Sequence, residues 1–537
     1  MPRLIRPVLL RLMLALVLLL PLAAGRAMAA SEAEVRAALT EMLTGPDRLA
    51  LPIERIRAAL KSYYVDNRGP LYWSDTARMD KLIARLEQAE YDGLNPADYP
   101  AGQLAELRDT MDFADAYRAA EAELYFDAFL VAYGADLKIG RVAPQKVDPH
   151  LFRSRKTIDV LRLLSGLGKQ PDPAAYLTAM EPKNPHYQAL KKILRAYIRL
   201  AQSGSNPAIA AGATVKPGGS DPRMAQIRAL LALTGDYAGP PSASATYDAA
   251  LAKAVINFQA RHGLEAKGLI GKQTILALNV PPAERKRQIT LNMERWRWLP
   301  DDLGAEHLLV NIAGYELNFV QQGQVSDNMN VVVGAVATQT PEFSDQMEYV
   351  DLNPTWTVPY TIATKEMLPR LKANPYAYAA EYDIFVNGKL ASWAGITWAN
   401  YGTGAFPFTF RQKPGPTNAL GRVKFMFPNK HNIYLHDTPA RDKFAFTTRA
   451  FSHGCIRLSR PIDLAYDLIA RLPGWSRERI DAVLASGITT RVSLPTPIPV
   501  HLVYATAFKG ARGVEFRPDI YGRDRKLSLA LFGRVPG

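Results

Sequence analysis

From Ser31 onward, apolar positions recur at helical spacing. Val35, Leu39, Met42 and Leu43 fall at i, i+4, i+7 and i+8, and Leu124 to Leu137 is a longer apolar segment of similar type. The period persists to about Leu200 and predicts a helical region over 30–205. It gives way from Gln202 to Pro222, QSGSNPAIAAGATVKPGGSDP, where Gly, Ser, Pro and Ala leave little to bury, so a linker is expected at 206–222. Beyond it, Tyr247-Asp248 opens a helix whose Leu251, Ala254, Val255 and Phe258 form one stripe. Gly263 and Gly268-Leu269-Ile270-Gly271 are turn signals ahead of a second short helix through Thr274 and Leu278. These signals predict a compact helical unit over 223–282, followed by a connector at 283–304.

Past Pro300 the pattern shortens. Leu308 to Ile312, Met329 to Val333, Glu348 to Leu352, Lys424 to Phe427 and Asn432 to Leu435 are strand-like runs bounded by Gly, Pro, Asn or Asp. They predict a β-rich domain over 305–495. Residues 362–420 interrupt it with a helical pattern near Lys365 to Leu371 and the loop YGTGAFPFTFRQKPGPTNALG, long enough to serve as a lid. After Leu494 a Pro-rich turn leads to Val500–Thr506 and Val514–Arg517, two more strands, and to DIYGRD, expected to fold back on the same region as part of a tail at 496–537. The fold class expected is therefore multi-domain α+β.

One apolar run, Leu12 to Ala24, has 13 residues, short of the roughly 20 a helix needs to cross the hydrocarbon core. Arg3, Arg6 and Arg11 precede it and Ala27-Met28-Ala29 follows it, the pattern of a secretory signal over 1–29, with a retained N-terminal anchor as the alternative. Composition at 48% hydrophobic and 22% charged is that of folded globular protein. The formal charge is +14, of which four arginines lie in the signal with no acid, leaving +10 for the remainder. Export and the lack of any block of five or six basic residues argue against nucleic acid, and an anionic polymer or surface outside the cytoplasm fits better. Membrane contact is expected only if the signal is retained.

A single cysteine in an exported chain cannot form an internal disulfide, so Cys455 is either buried or used. It stands in Ser452-His453-Gly454-Cys455-Ile456-Arg457, downstream of Tyr434-Leu435-His436-Asp437-Thr438-Pro439. In the strand Asn432–Leu435, Ile433 and Leu435 share one face and Tyr434 and His436 the other, so His436 is expected to emerge at the strand end, presented rather than buried. An imidazole can ionise a nearby thiol as a thiolate–imidazolium pair while a third group fixes its tautomer. Cys455, His436 and a carbonyl or carboxylate at Asp437 supply all three. Gly454 lets backbone approach a substrate, and N–H groups in a turn at 453–455 are candidates to cradle an oxyanion. The chemistry implied is acyl transfer. His453 competes as the base but is disfavoured by the turn at Gly454, and Arg457 is a candidate partner for a substrate carboxylate. A zinc site from Cys455, His436, His453 and Asp437 is a further alternative without supporting spacing.

The segment FSHGCIRL preceded by YLHDTP, with histidine and cysteine nineteen positions apart, resembles the signature of the L,D-transpeptidase catalytic domain. FQARHGLEAKGLIGKQTILALN similarly resembles the three-helix peptidoglycan-binding domain, with Lys267 where that family usually has Asp. The wider chain is similar to the large multi-domain Gram-negative enzymes, through Arg68-Gly69-Pro70-Leu71 with Trp73, Tyr91-Asp92-Gly93-Leu94, Asp136-Leu137 with Gly140-Arg141-Val142, Asn292-Met293-Glu294-Arg295 with Arg297-Trp298, Asn353-Pro354 with Trp356 and Val358-Pro359, and DIYGRD. The resemblance implies a helical scaffold domain, the small wall-binding domain and a mixed β-sandwich catalytic domain capped by 362–420. It implies that Cys455 attacks a tetrapeptide stem, releases D-alanine and forms a thioester, with His436 moving the proton and the Asp437 carbonyl orienting the ring. An amine of a neighbouring diamino acid then completes a 3→3 cross-link; water, a free D-amino acid or a protein amine are the other acceptors left open. Tyr434, Ser452 and Arg457 are the substrate-binding candidates. No metal or organic cofactor is implied. Peptidoglycan stems and glycan are the implied partners, with a cell-wall synthase as a further candidate. A wall-binding scaffold with an idle transferase domain is the reading from another class.

Overall fold

The computed structural model describes residues 29–46, 56–204, 207–404 and 406–533. The expected signal segment lies, except for Ala29, outside the described residues. Among them no helix is long and apolar enough to cross a membrane.

The first helix, Glu32–Thr44, begins where Ser31 and Glu34 close a capping box, each side chain accepting from the other's backbone N–H. It buries Val35, Leu39 and Leu43 in a core built around the helix Ala116–Ile139, whose residues from Ala120 to Ile139 are buried on almost every face. The last helix of this region, Pro185–Gln202, leaves that core. Its stripe of Tyr187, Leu190, Leu194 and Ile198 packs with Ile289, Met293 and Trp296 and with Leu309, Val503 and Phe516 of the β-rich domain.

The segment expected as a connector contains the helix Pro282–Trp298, in which Leu291 to Trp298 are all buried. Glu294 accepts from the amides of Arg141 at 2.6 Å and Val142 at 3.2 Å, and Arg297 donates to the Asp92 carbonyl and the Tyr187 hydroxyl. A buried charge needs partners of this kind, and here they tie the helical region to the rest of the chain.

The small unit has the helices Met224–Leu233, Ala249–Arg261 and Lys272–Leu278 around Val255, Phe258 and Ile270. Gln259 fastens its turn, donating to Leu269 O and Thr274 Oγ1 and accepting from Gly268 N. The expected linker is not loose: Ile209 and Val215 are buried in this core, Val215 bridges Ile270, and Asn279 brackets Ile209 with two 2.8 Å bonds. Three short helices alone leave a hydrophobic face open, and this segment closes it.

The strands are β1 Glu306–Asn311, β2 Glu316–Gln321, β3 Gln324–Gly334, β4 Phe343–Leu352, β5 Trp356–Thr357, β6 Tyr382–Val386, β7 Lys389–Ala391, β8 Phe408–Gln412, β9 Val423–Met426, β10 Leu435–His436, β11 Ala450–Ser452, β12 Ile456–Leu458, β13 Thr490–Val503, β14 Ala507–Gly510 and β15 Gly513–Phe516. Among the described residues, nine form one mixed sheet in the order β11-β3-β12-β10-β9-β4-β13-β1-β2, and β2 also pairs with the first half of β3, so the sheet wraps back on itself around a shared core. The boundary expected at 495/496 falls inside β13, which runs through Pro495, Pro497 and Pro499. A register shift between Ser493 and Ile498 takes the first two out of the ladder, where their missing N–H groups cost no pairing. Residues 496–503 thus belong to the nine-stranded sheet, and only β14, β15 and the helix Arg523–Phe532 pack outside it.

The capping insertion starts earlier than residue 362. β5, β8, β6 and β7 make a separate small sheet over a core of Trp398, Phe406, Phe408 and Phe410. The aromatic-rich stretch that reads as an open loop contains β8, and its aromatics fill this core.

Candidate active site

Two parallel strands carry the candidate residues. β10 and β12 pair with Leu435 beside Ile456 and His436 beside Arg457, and one step back the carbonyl of Tyr434 accepts from the amide of Ile456. Ile433, Leu435, Ile456 and Leu458 enter the core, so alternation sends Tyr434, His436, Cys455 and Arg457 to the opposite face. Tyr434 is next to Cys455, and His436 lies diagonally from it, one row on. That row extends across the sheet through registered neighbours: Arg491 and Asp351, Asp351 and Lys424, Lys424 and His436, His436 and Arg457.

His436 is buried, 4% exposed, not presented as the strand pattern suggested. β10 is only two residues long and its polar face lies under neighbouring side chains instead of solvent. The ring Nδ1 is 2.5 Å from the Asp437 carbonyl oxygen. A carbonyl only accepts, so Nδ1 carries the proton and Nε2 keeps its lone pair. Burial pushes the His436 pKa down to about 3, with the positive charges of Arg457 and Lys424 adding to it and the Asp437 carbonyl opposing. The Asp437 carboxylate is engaged elsewhere, accepting from Arg441 at 2.6 Å, Arg422 N at 2.8 Å and Thr438 N at 2.7 Å.

Cys455 is half-buried, and its Sγ is 3.5 Å from the Asn432 carbonyl. Burial pushes the thiol pKa up, while hydrogen bonds from the Tyr434 amide and hydroxyl and the charges of Lys424 and Arg457 work the other way. With the imidazole held neutral as well, the resting pair is thiol and imidazole. The thiolate–imidazolium pair expected from residue types is disfavoured because neither charge is solvated here.

The turn around the cysteine is fixed from inside. Ser452 Oγ donates to the Cys455 carbonyl at 2.5 Å and accepts from the Gly454 amide at 3.1 Å. Ser452 is buried with its proton spent on the Cys455 carbonyl, so it shapes the turn instead of meeting substrate, and the Gly454 amide expected for an oxyanion is committed. Gly454 has φ of 116°. Thr338 and Thr340 donate to the carbonyls of Ser452 and Gly454 from the next loop. His453 is engaged with the cap, its Nε2 2.8 Å from Glu366. The Tyr434 hydroxyl bonds the thiol and the side chain of Trp356, also of the cap.

Lys424, Glu366, Asp351 and Trp356 complete the surroundings and were not singled out from sequence as site residues. For Lys424 the available signal was its place in the strand Lys424–Phe427, but which strand lies beside it is a property of the sheet order. Arg457 is where its motif position suggests, with Nε enclosed and without a hydrogen-bond partner.

Residues 305–471 match the family described as "L,D-transpeptidase catalytic domain", residues 220–278 the "Putative peptidoglycan binding domain" and residues 58–194 the "Scaffold domain". A curated Haemophilus influenzae protein named "Putative L,D-transpeptidase" is 35% identical over 266 residues, 48% of this chain and 53% of that one, so the chain spans about half the length of that relative. Among solved structures, the L,D-transpeptidase of Stackebrandtia nassauensis matches at 14% identity over 54% of this chain and 94% of that one, with a TM-score of 0.23. That of Xylanimonas cellulosilytica matches at 14% identity over 55% and 99%, with a TM-score of 0.18.

Proposed function

For a chain that carries an L,D-transpeptidase catalytic domain at 305–471 behind a scaffold domain and a peptidoglycan-binding domain, we propose the activity of a periplasmic transpeptidase that joins peptidoglycan stems by 3→3 cross-links through a thioester on Cys455. The observation that carries this is the tautomer of His436: with Nδ1–H spent on the Asp437 carbonyl, Nε2 is left as a base on the face that also bears the only thiol.

Sγ attacks the carbonyl of the bond joining the third residue of a tetrapeptide stem to its terminal D-alanine, and its proton passes to His436 Nε2. The tetrahedral intermediate collapses as Nε2–H protonates the departing amine, leaving a thioester and free D-alanine. A diamino-acid amine of a second stem, deprotonated by Nε2, then displaces Sγ, which recovers its proton. The peptidoglycan-binding domain supports a wall substrate, and the basic flank and apolar run of residues 1–29 support export to the periplasm.

The test is to incubate the protein with disaccharide-tetrapeptide and follow products together with intact protein mass. A 3→3 dimer, released D-alanine and a transient adduct on Cys455, all lost in Cys455→Ala, are expected. Tripeptide without dimer would mean water is the acceptor, and cross-linking retained by Cys455→Ala would overturn the proposal.

A further inference from the structure

His436 stands between two cations on the polar face of the sheet, Lys424 in register on β9 and Arg457 in register on β12. Neither is neutralised from within. Arg457 Nε is enclosed without a hydrogen-bond partner, and Lys424, whose ammonium lies 4.3 Å from the centroid of the Tyr434 ring, makes no ion pair among the described residues. The one carboxylate in the row, Asp351, is gripped by Arg491 through bonds of 2.8 and 3.2 Å. Burial lowers the pKa of both cations, and the charge of Asp351, shared with Arg491, offsets this only in part at Lys424. Leaving two half-buried cations uncompensated is unfavourable unless an anion arrives.

Where that anion comes from follows from the proposed thioester chemistry, on which this inference rests. The group that protonates the leaving amine must lie within hydrogen-bond reach of its nitrogen. In a terminal amino acid the carboxylate is attached one carbon from that nitrogen. If the nitrogen is at His436 Nε2, the carboxylate necessarily falls beside His436, where Lys424 and Arg457 stand. We propose that Lys424 and Arg457 form a cradle for the free terminal carboxylate of the donor stem, and so select donors that end one residue beyond the scissile bond. A stem with a further residue places an uncharged peptide group between the cations. The carboxylate of the diamino acid at the third position has the same chemistry and is the competing source.

The test compares four donors with the full chain: disaccharide-tetrapeptide, the same with its terminal carboxylate as an amide, the same with only the diamino-acid carboxylate as an amide, and the pentapeptide. Terminal-residue release gives kcat and KM. For the unaltered protein, the terminal amide and the pentapeptide are expected to lose about 10- to 100-fold in kcat/KM, the size of one to two charge-assisted bonds. Lys424→Met is expected to lose a similar factor on the tetrapeptide and little on the amide, while Lys424→Arg retains most of the preference. Equal rates for acid and terminal amide in the unaltered protein would overturn the cradle, and this needs no variant to fold. A penalty that follows the diamino-acid amide instead would overturn the assignment to the terminal carboxylate. Should the tetrapeptide give neither release nor adduct, it is the thioester reading that fails.

Discussion

Cys455 and His436 share one face of the sheet as neutral groups, and under the proposed thioester chemistry this sets how the rate responds to pH. A thiolate nucleophile formed in bulk equilibrium makes the rate climb about tenfold per pH unit below the thiol pKa. A thiol that loses its proton only as it attacks, to an imidazole already neutral, needs the base free and nothing else. Burial and two neighbouring cations put the His436 pKa near 3, far below the 6.5 of a solvated histidine. The kcat/KM for D-alanine release is therefore expected to be nearly flat from pH 7.5 to 5.5, measured with tetrapeptide at limiting concentration. A half-point near 6.5, or a tenfold slope, would show a solvated histidine or a pre-ionised thiol instead. The adjoining Gly454 is held at φ 116°, and a Cβ built on it comes within 3.3 Å of Ile433 Cδ1. Gly454→Ala then costs on the order of 1–3 kcal/mol in backbone strain, and the shift falls on the next residue, the proposed nucleophile. A lowered Tm with at least tenfold slower adduct formation is expected; an adduct rate within twofold of the parent would show that the turn tolerates a side chain.

At the scale of elements, the catalytic turn is held at second hand. The segment DIYGRD folds back so that Tyr521 donates to the Gly334 carbonyl at 2.5 Å, and Arg523 donates to Glu342 and to the Thr340 carbonyl, each at 2.9 Å. The loop so fastened carries Thr338 and Thr340, which hold the carbonyls of Ser452 and Gly454. Arg523 is buried at 1% exposure, so Arg523→Met removes the partner that hydrogen-bonds Glu342 and leaves it only the charges of Arg153 and Arg295, with a loss of about 3 kcal/mol expected by denaturant titration. Adding Glu342→Gln should restore part of it, and additive losses would show that the pair is not coupled. DIYGRD was legible as a tail that returns, since its turn residues follow two strand runs, but its target was not. Helices were legible wherever one face is apolar, as in Val35, Leu39 and Leu43. The strand β9 read correctly as a short strand-like run, β12 did not stand out behind its turn, and Cys455 and His436 stood out by residue type. What local pattern could not carry is pairing: β10 shrinks to two residues, β13 runs through three prolines, and His436 becomes buried, because each depends on partners dozens of residues away. Lys424 was unreadable for the same reason, its place beside His436 being a register between strands.

Across the whole molecule the catalytic sheet, the small helical unit and the helical region keep separate cores, joined through the helix Pro282–Trp298 and through Arg261 and Arg517, which donate to the Val514 and Arg261 carbonyls at 3.3 and 3.0 Å. The core of the helical region has its own proton. Glu123 and Asp127, one turn apart on the helix Ala116–Ile139, are buried and share the Tyr64 hydroxyl, 2.9 Å from Glu123 Oε1 and 2.6 Å from Asp127 Oδ2. One hydroxyl has one proton to give, so the second of these contacts is a hydrogen bond only if a carboxyl is protonated and donates to the tyrosine oxygen. Burial and the charge of Asp127 raise Glu123 to about 8, and burial raises Asp127 to about 6. Unfolded carboxyls titrate near 4, so between about pH 4 and 8 the folded chain holds more protons than the unfolded one, and stability must fall as pH rises through this window. Trp73, whose indole donates to Asp127 at 2.8 Å, reports the site by fluorescence. Urea unfolding followed at Trp73, with the other six tryptophans replaced or subtracted through Trp73→Phe, is expected to show a midpoint that drops from pH 5 to pH 8. Glu123→Gln, which cannot ionise, should flatten that drop even if it lowers the midpoint at pH 5 by disturbing the amide bonds of Tyr72 and Trp73. If parent and variant keep the same slope, the proton is not stored on this pair.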